Sequence, residues 1–162
     1  MVKHGFSEKK KCSIARALDV IGEWWSLLII RDLFLNGGHA RFEDLREGLG
    51  ISRNVLTERL RTLTEHEVIR KAPVQEGARR QEYQLTRKGW DLLPLIVGMA
   101  QWGNRWRHDP ENIPLQIMDR KTGEPVLPVV VRSADGRELG IDDIYVRMLV
   151  DTEYLPAAAR RS

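Results

Sequence analysis

Ser52, Arg53, Asn54, Thr57 and Arg61 bring two guanidinium groups, an amide and two hydroxyls into ten consecutive residues. Guanidinium and amide side chains match the acceptor and donor pairs on guanine and adenine edges, and hydroxyls bond to base edges or phosphates. Further along, Arg79 and Arg80 follow Gly77, a residue that lets a chain bend close to a phosphodiester backbone. Planar guanidinium groups placed there would pair with phosphate oxygens. Both groups of residues point to one chemistry, hydrogen bonding to a polyanion.

A second chemistry is open to Cys12, the one cysteine of the chain, which follows Lys9, Lys10 and Lys11 directly. A helix start and neighbouring ammonium groups favour a thiolate, the form that reacts with oxidants and electrophiles. The plainer reading is a small residue filling space at a helix end. One cysteine builds neither a disulfide framework nor a CxxC zinc site. Catalytic signatures are missing: the chain has no P-loop, no GxSxG elbow, no HExxH, and no GxGxxG after a strand. His4, His39, His66 and His108 are scattered without metal-ligand spacing, and Glu65/Glu67 and Asp142/Asp143 are ordinary surface carboxylates. The expectation is a non-enzyme without catalytic residues, cofactor or metal.

The elements that must hold these groups follow from spacing. Ile14, Leu18 and Ile21 recur at helical intervals, with Gly22 as the stop. Residues 24–35 are apolar almost all round and predict a buried central helix, broken by Asn36-Gly37-Gly38. Phe42, Leu45 and Leu49 space a short helix, and Gly50-Ile51 makes a tight turn. Ser52 then caps a helix carrying Val55, Leu56, Leu60 and Leu63, which is a helix-turn-helix layout. With Leu56, Leu60 and Leu63 inward, Asn54, Thr57, Glu58 and Arg61 face out and Arg53 lies at their edge. Residues 68–72 and 81–85 predict strands around a basic loop at 73–80, with Tyr83 and Leu85 on one face. A hairpin in that place is a wing.

Thr86 is expected to cap a long helix to about Trp106, in which Pro94 imposes a kink or a restart. Leu92, Leu95, Ile96, Met99, Trp102 and Trp106 form one apolar stripe along it. The stripe either packs within its own domain or, as we expect, meets a second copy of the chain. After Asp109-Pro110 the composition turns to Pro and β-branched residues. Strands are expected at 115–119, 126–132 and 144–150, with turns at 120–124 and 134–136. Residues 156–162 read as a frayed tail.

At 162 residues, 42% hydrophobic and 30% charged, the chain has an ordinary globular balance that argues against disorder. Its nearly apolar stretch at 92–100 holds Pro94 and Gly98 and is too short for a membrane span. Arg16 and Asp19 interrupt the apolar run that a signal peptide would need, so a cytoplasmic location is expected. The net charge is +3, unevenly spread. Residues 51–90 hold nine basic and five acidic side chains, and residues 1–16 hold five and one. Residues 107–162 reverse the balance with eight and ten. Such a distribution suits nucleic acid, although a solvated helical surface gives the same count.

Residues 12–25, CSIARALDVIGEWW, with Leu28-Ile-Ile-Arg-Asp-Leu33, resemble the opening of the HxlR-type helix-turn-helix regulators, relatives of the MarR group. Arg41-Phe42-Glu-Asp-Leu45, Gly50-Ile-Ser-Arg-Asn54 and Leu56-Thr-Glu-Arg-Leu60 are similar to that family's helix-turn-helix. Glu82-Tyr83-Gln-Leu-Thr86 with Gly89 looks like its second wing strand and the start of its last helix. The resemblance spans about residues 12–106. It implies a mainly α, winged helix-turn-helix bacterial transcription regulator that binds double-stranded DNA as a homodimer. By the same resemblance the recognition helix begins at Ser52, and Arg79 and Arg80 touch the flanking backbone. The dimer would be built from the first and last long helices, which assigns Ile14, Leu18, Met99, Trp102 and Trp106 to the interface. Many members keep a cysteine at the position of Cys12, and some sense oxidants or electrophiles with it. Some relatives carry cysteine pairs suited to metal in the tail, where Arg132, Ser133 and Asp135 stand here; no zinc is expected. Residues 1–110 are thus read as the DNA-binding and dimerising domain, and 111–155 as a small β-rich appendage that could bind a small effector. The rival reading is a winged-helix module for protein–protein assembly without specific DNA binding. An exposed apolar patch on the second helix would favour it.

Overall fold

The computed structural model describes residues 12–75 and 79–147, which divide into a first unit running to Trp90 and a second, Asp91–Arg147. The first unit contains α1 (Ser13–Ile21), α2 (Trp24–Leu35), α3 (Phe42–Leu49), α4 (Arg53–Glu65) and the short α5 (Arg87–Trp90). Three strands, β1 (His39–Ala40), β2 (Ile69–Pro73) and β3 (Gln81–Leu85), form an antiparallel sheet in the order β1-β3-β2.

The core is built around α2, whose Ile29, Ile30 and Leu33 are fully buried. Leu45 of α3, Leu56, Leu60 and Leu63 of α4, and Val68, Ile69 and Leu85 near the sheet complete it. Gly22 caps α1 as expected, yet it does so in a right-handed conformation, φ −72. The reason for glycine is a close approach, because a Cβ there would lie 2.4 Å from the Leu18 carbonyl oxygen. Between α3 and α4, Gly50 takes the left-handed φ of +61 that the turn requires. The strand β1 has no counterpart in the sequence reading, since two residues carry no periodicity. It pairs His39 with Gln84 and Ala40 with Tyr83.

The expected long helix after Thr86 is two helices. Thr86 does cap the first, accepting a hydrogen bond from the Gly89 N–H at 3.2 Å. That helix ends at Trp90, and α6 (Leu93–Arg107) begins after a turn. Pro94 marks a restart because, in the first turn, its missing N–H has no intrahelical partner to lose.

In the second unit, α6 is followed by a short 3-10 turn at Pro110–Asn112, an extended tail and another 3-10 turn at Ile141–Asp143. The three expected strands of the appendage are not formed among the described residues. Two isolated bridges, Met118 to Pro125 and Arg132 to Glu138, close turns where turns were expected. The β-branched run of residues 126–131 finds a helix side chain where a strand partner would be. Gln101 of α6 donates to the Leu127 carbonyl at 3.0 Å and accepts from the Val129 N–H at 2.8 Å. Pro125 precedes that contact, Pro128 lies within it, and both remove ladder donors. Residues 144–147 are irregular, and 148–150 lie outside the described residues, as does the tail at 156–162.

Candidate nucleic-acid interface

Ser52 caps α4 as the sequence predicts, with the Val55 N–H reaching its Oγ at 3.4 Å. The helix then commits one side to the core: Leu56, Leu60 and Leu63 are at most 1% exposed. Arg53, Asn54, Thr57, Glu58 and Arg61 are all exposed, on the opposite side. No acidic residue stands in the first turn of α4, so its positive dipole end is not neutralised there. The outward face bears no apolar patch; Val55 is the one large apolar side chain of α4 that reaches the surface.

Both outward arginines are engaged by carboxylates. Arg61 Nη1 donates to Glu65 Oε1 at 2.6 Å, one turn along the same helix. Arg53 Nη2 donates to Glu43 Oε1 at 2.5 Å, and its guanidinium carbon stands 5.0 Å from the centre of the Phe42 ring. The second oxygen of Glu43 accepts from Arg46 Nε at 2.7 Å. That hydrogen bond, with the charges of Arg53 and Arg46 adding, holds the Glu43 carboxyl below the usual carboxylate range. The sequence reading missed Phe42 and Glu43 as neighbours of Arg53. Only the Arg61–Glu65 pair was legible, by its i,i+4 spacing.

Beside the helix-turn-helix in the chain stands the β2–β3 hairpin, in register from Ile69 opposite Leu85 to Pro73 opposite Gln81. The Val74 N–H donates to the Arg80 carbonyl at 3.0 Å and closes its outer end. Arg79 and Arg80 are exposed there, while Gly77 lies outside the described residues. Arg70 and Lys71 add exposed cations on β2, and Arg70 bonds across the hairpin to Gln84 Oε1 at 2.9 Å. Tyr83 is half-buried and its hydroxyl pKa is raised by that burial.

Among the described residues, each unit has a helix with an uncovered apolar face. On α1, Ile14 and Leu18 are exposed. On α6, Leu95, Met99, Trp102 and Trp106 are exposed, the tryptophans by 61% and 62%. Leu95, Met99 and Trp102 line a hollow of about 500 Å³ with Pro94, Gly98 and Val129. Cys12 is the N-cap residue of α1, partly buried, and its side chain makes no capping hydrogen bond. Among the described residues no group of His, Cys, Asp and Glu is placed to hold a metal ion. Where relatives were expected to carry cysteines, Ser133 bonds Asp135 and Arg132 Nη2 pairs with Glu138 at 3.0 Å. No described helix is long and apolar enough to cross a membrane.

Residues 20–111 match the family of HxlR-like helix-turn-helix proteins. An uncharacterized HTH-type transcriptional regulator of Mycobacterium tuberculosis, Rv3095, is 38% identical over 127 residues, 78% of this chain and 79% of that protein. The crystal structure of PA1607, a proposed transcription factor, superposes with a TM-score of 0.79 at 40% identity, covering 90% of this chain and 99% of that one. That share exceeds the family core, so PA1607 carries a counterpart of at least part of the appendage. The redox regulator HypR in its reduced form matches with a TM-score of 0.54 at 27% identity, over 62% of this chain and 99% of its own.

Proposed function

The chain belongs to the HxlR-like helix-turn-helix family, a transcriptional regulator and not an enzyme, and from that premise we propose that it acts as a two-fold dimer on an inverted-repeat operator. In this reading α4 enters the major groove, with Arg53, Asn54, Thr57 and Arg61 toward base edges and Ser52 near the backbone. Arg79 and Arg80 of the wing contact flanking phosphates. The observation that carries it is the exposed polar face of α4 behind a fully buried Leu56, Leu60 and Leu63. An assembly module would present apolar side chains there, and this face does not. The uncovered faces of α1 and α6 supply the contact with the second copy, including Ile14, Leu18, Met99, Trp102 and Trp106. In the same reading residues 1–110 are the working part and 111–155 an appendage.

Selection of duplexes from a random pool by the full chain tests the proposal. The expected product is a palindrome whose half-sites are centred about 10–10.5 base pairs, roughly 34–36 Å, apart or a multiple of it. Arg79→Ala should weaken selected and scrambled duplexes alike. Its plot of log affinity against log salt should flatten by about 0.9 for each phosphate that is no longer neutralised. Recovery of no preferred sequence, or an Arg79→Ala protein with unaltered salt dependence, would remove the wing and helix assignment.

We further propose that a thiol-reactive signal acts at Cys12. Its partial exposure and its uncommitted side chain support access by a reagent, and the relative HypR is a redox regulator. Attack of the thiolate on hydrogen peroxide would give a sulfenic acid and release hydroxide. A second thiol, from another chain or a small molecule, would then displace water and form a disulfide. An α1 modified at its start would no longer meet its dimer partner in the same way, and operator affinity should fall about tenfold. The Cys12→Ser protein should ignore mild peroxide. If peroxide leaves operator binding of the parent intact, Cys12 only fills space.

A further inference from the structure

The two outward arginines of α4 are held in different ways. Arg61 makes an ordinary helix-surface pair with Glu65, both side chains more than half exposed. Arg53 is gripped from a different helix. The first two residues of α3 supply the Phe42 ring beneath its guanidinium and the Glu43 carboxylate at its edge. Glu43 is itself steadied by Arg46 at 2.7 Å. Gly50, by turning the chain in the left-handed region, brings α3 and the start of α4 together so that this contact forms.

We propose that Phe42 and Glu43 are specificity-determining positioning residues, which fix the Arg53 guanidinium for a base edge and withhold it from phosphates. The inference rests on the DNA reading above. A guanidinium has five N–H donors, and Glu43 takes one of them, so the far edge can still form a bidentate pair with guanine. Because the ion pair and the ring restrict a side chain that is otherwise 66% exposed, less rotamer freedom is given up when the matching base arrives. On a wrong sequence the same grip keeps Arg53 from swinging to the nearest phosphate, and the Glu43 charge repels the backbone. Both effects widen the gap between the right duplex and any other. Phe42 contributes through the ring face, which attracts a cation and sets the plane of the fork.

The experiment measures the ratio of affinities for a selected and a scrambled duplex. It uses Glu43→Gln and Glu43→Ala, each in the parent and in an Arg53→Ala background. Glu43 is half exposed, so either variant should lose little of the parent's thermal stability and stay folded. In the parent background the scrambled duplex should bind more tightly and the ratio should fall about three- to tenfold. With Arg53 gone, the same substitution should raise both affinities alike and leave the ratio unchanged. A ratio indifferent to Glu43, or one that falls equally without Arg53, overturns the inference. A parent with no sequence preference at all would instead sink the DNA reading, and the inference with it.

Discussion

Replacing Trp102 and Trp106 together by alanine should leave a folded protein that no longer pairs with itself and no longer holds its operator. Both rings stand largely in solvent in the single chain, so their removal opens no cavity in its own core. In the proposed dimer, what the substitution takes away is packing against a second copy. Two indoles from each protomer would bury roughly 400–600 Å² in a dimer, a gross gain on the order of 10–15 kcal/mol before association costs. Removing that much apolar surface should raise the dimer dissociation constant at least about a hundredfold. Operator binding should fall with it, because in the proposed complex a lone chain would offer one recognition helix to one half-site. Sedimentation equilibrium reads the first effect and duplex titration the second. The parent's melting temperature should rise with protein concentration and the variant's should not. A variant that stays dimeric at micromolar concentration, with operator affinity intact, would move the interface away from α6.

How far the sequence announced this arrangement depends on whether a feature is local. Leu56, Leu60 and Leu63 lie on one helical face, and that periodicity alone placed Arg53, Asn54, Thr57 and Arg61 outside. Ser52 as a cap and the apolar Trp24–Leu35 helix were equally legible, since each depends on neighbours within a turn. Contacts between distant residues were not. Glu43 and Arg53 stand ten positions apart, and nothing in either residue says that a turn at Gly50 joins them. The two-residue β1 exists only because β3 offers it an edge. The appendage failed for the opposite reason. Its Val-rich run has strand propensity without a strand to pair with, and Gln101 takes the backbone groups instead.

Asn54→Ala should be the cleanest test of which helix reads the bases. Asn54 is the second residue of α4 and exposed, and in the proposed complex it stands at the end of the helix that first meets a groove floor. An asparagine amide matches the N6 and N7 of adenine, and such a pair discriminates by about 1–3 kcal/mol. A two-fold dimer makes the contact twice, so the symmetric operator should lose roughly 2–6 kcal/mol of binding. Alanine favours helix over asparagine, and α4 should therefore be no less stable. The amide carries no charge, so the salt dependence should keep the parent's slope, in contrast to Arg79→Ala. Each base pair of a half-site can then be changed in turn and titrated against both proteins. At the position that Asn54 reads, the parent should distinguish the altered operator and the variant should bind both equally. If the variant still discriminates at every position as the parent does, Asn54 does not touch a base, and the start of α4 is not the reading end.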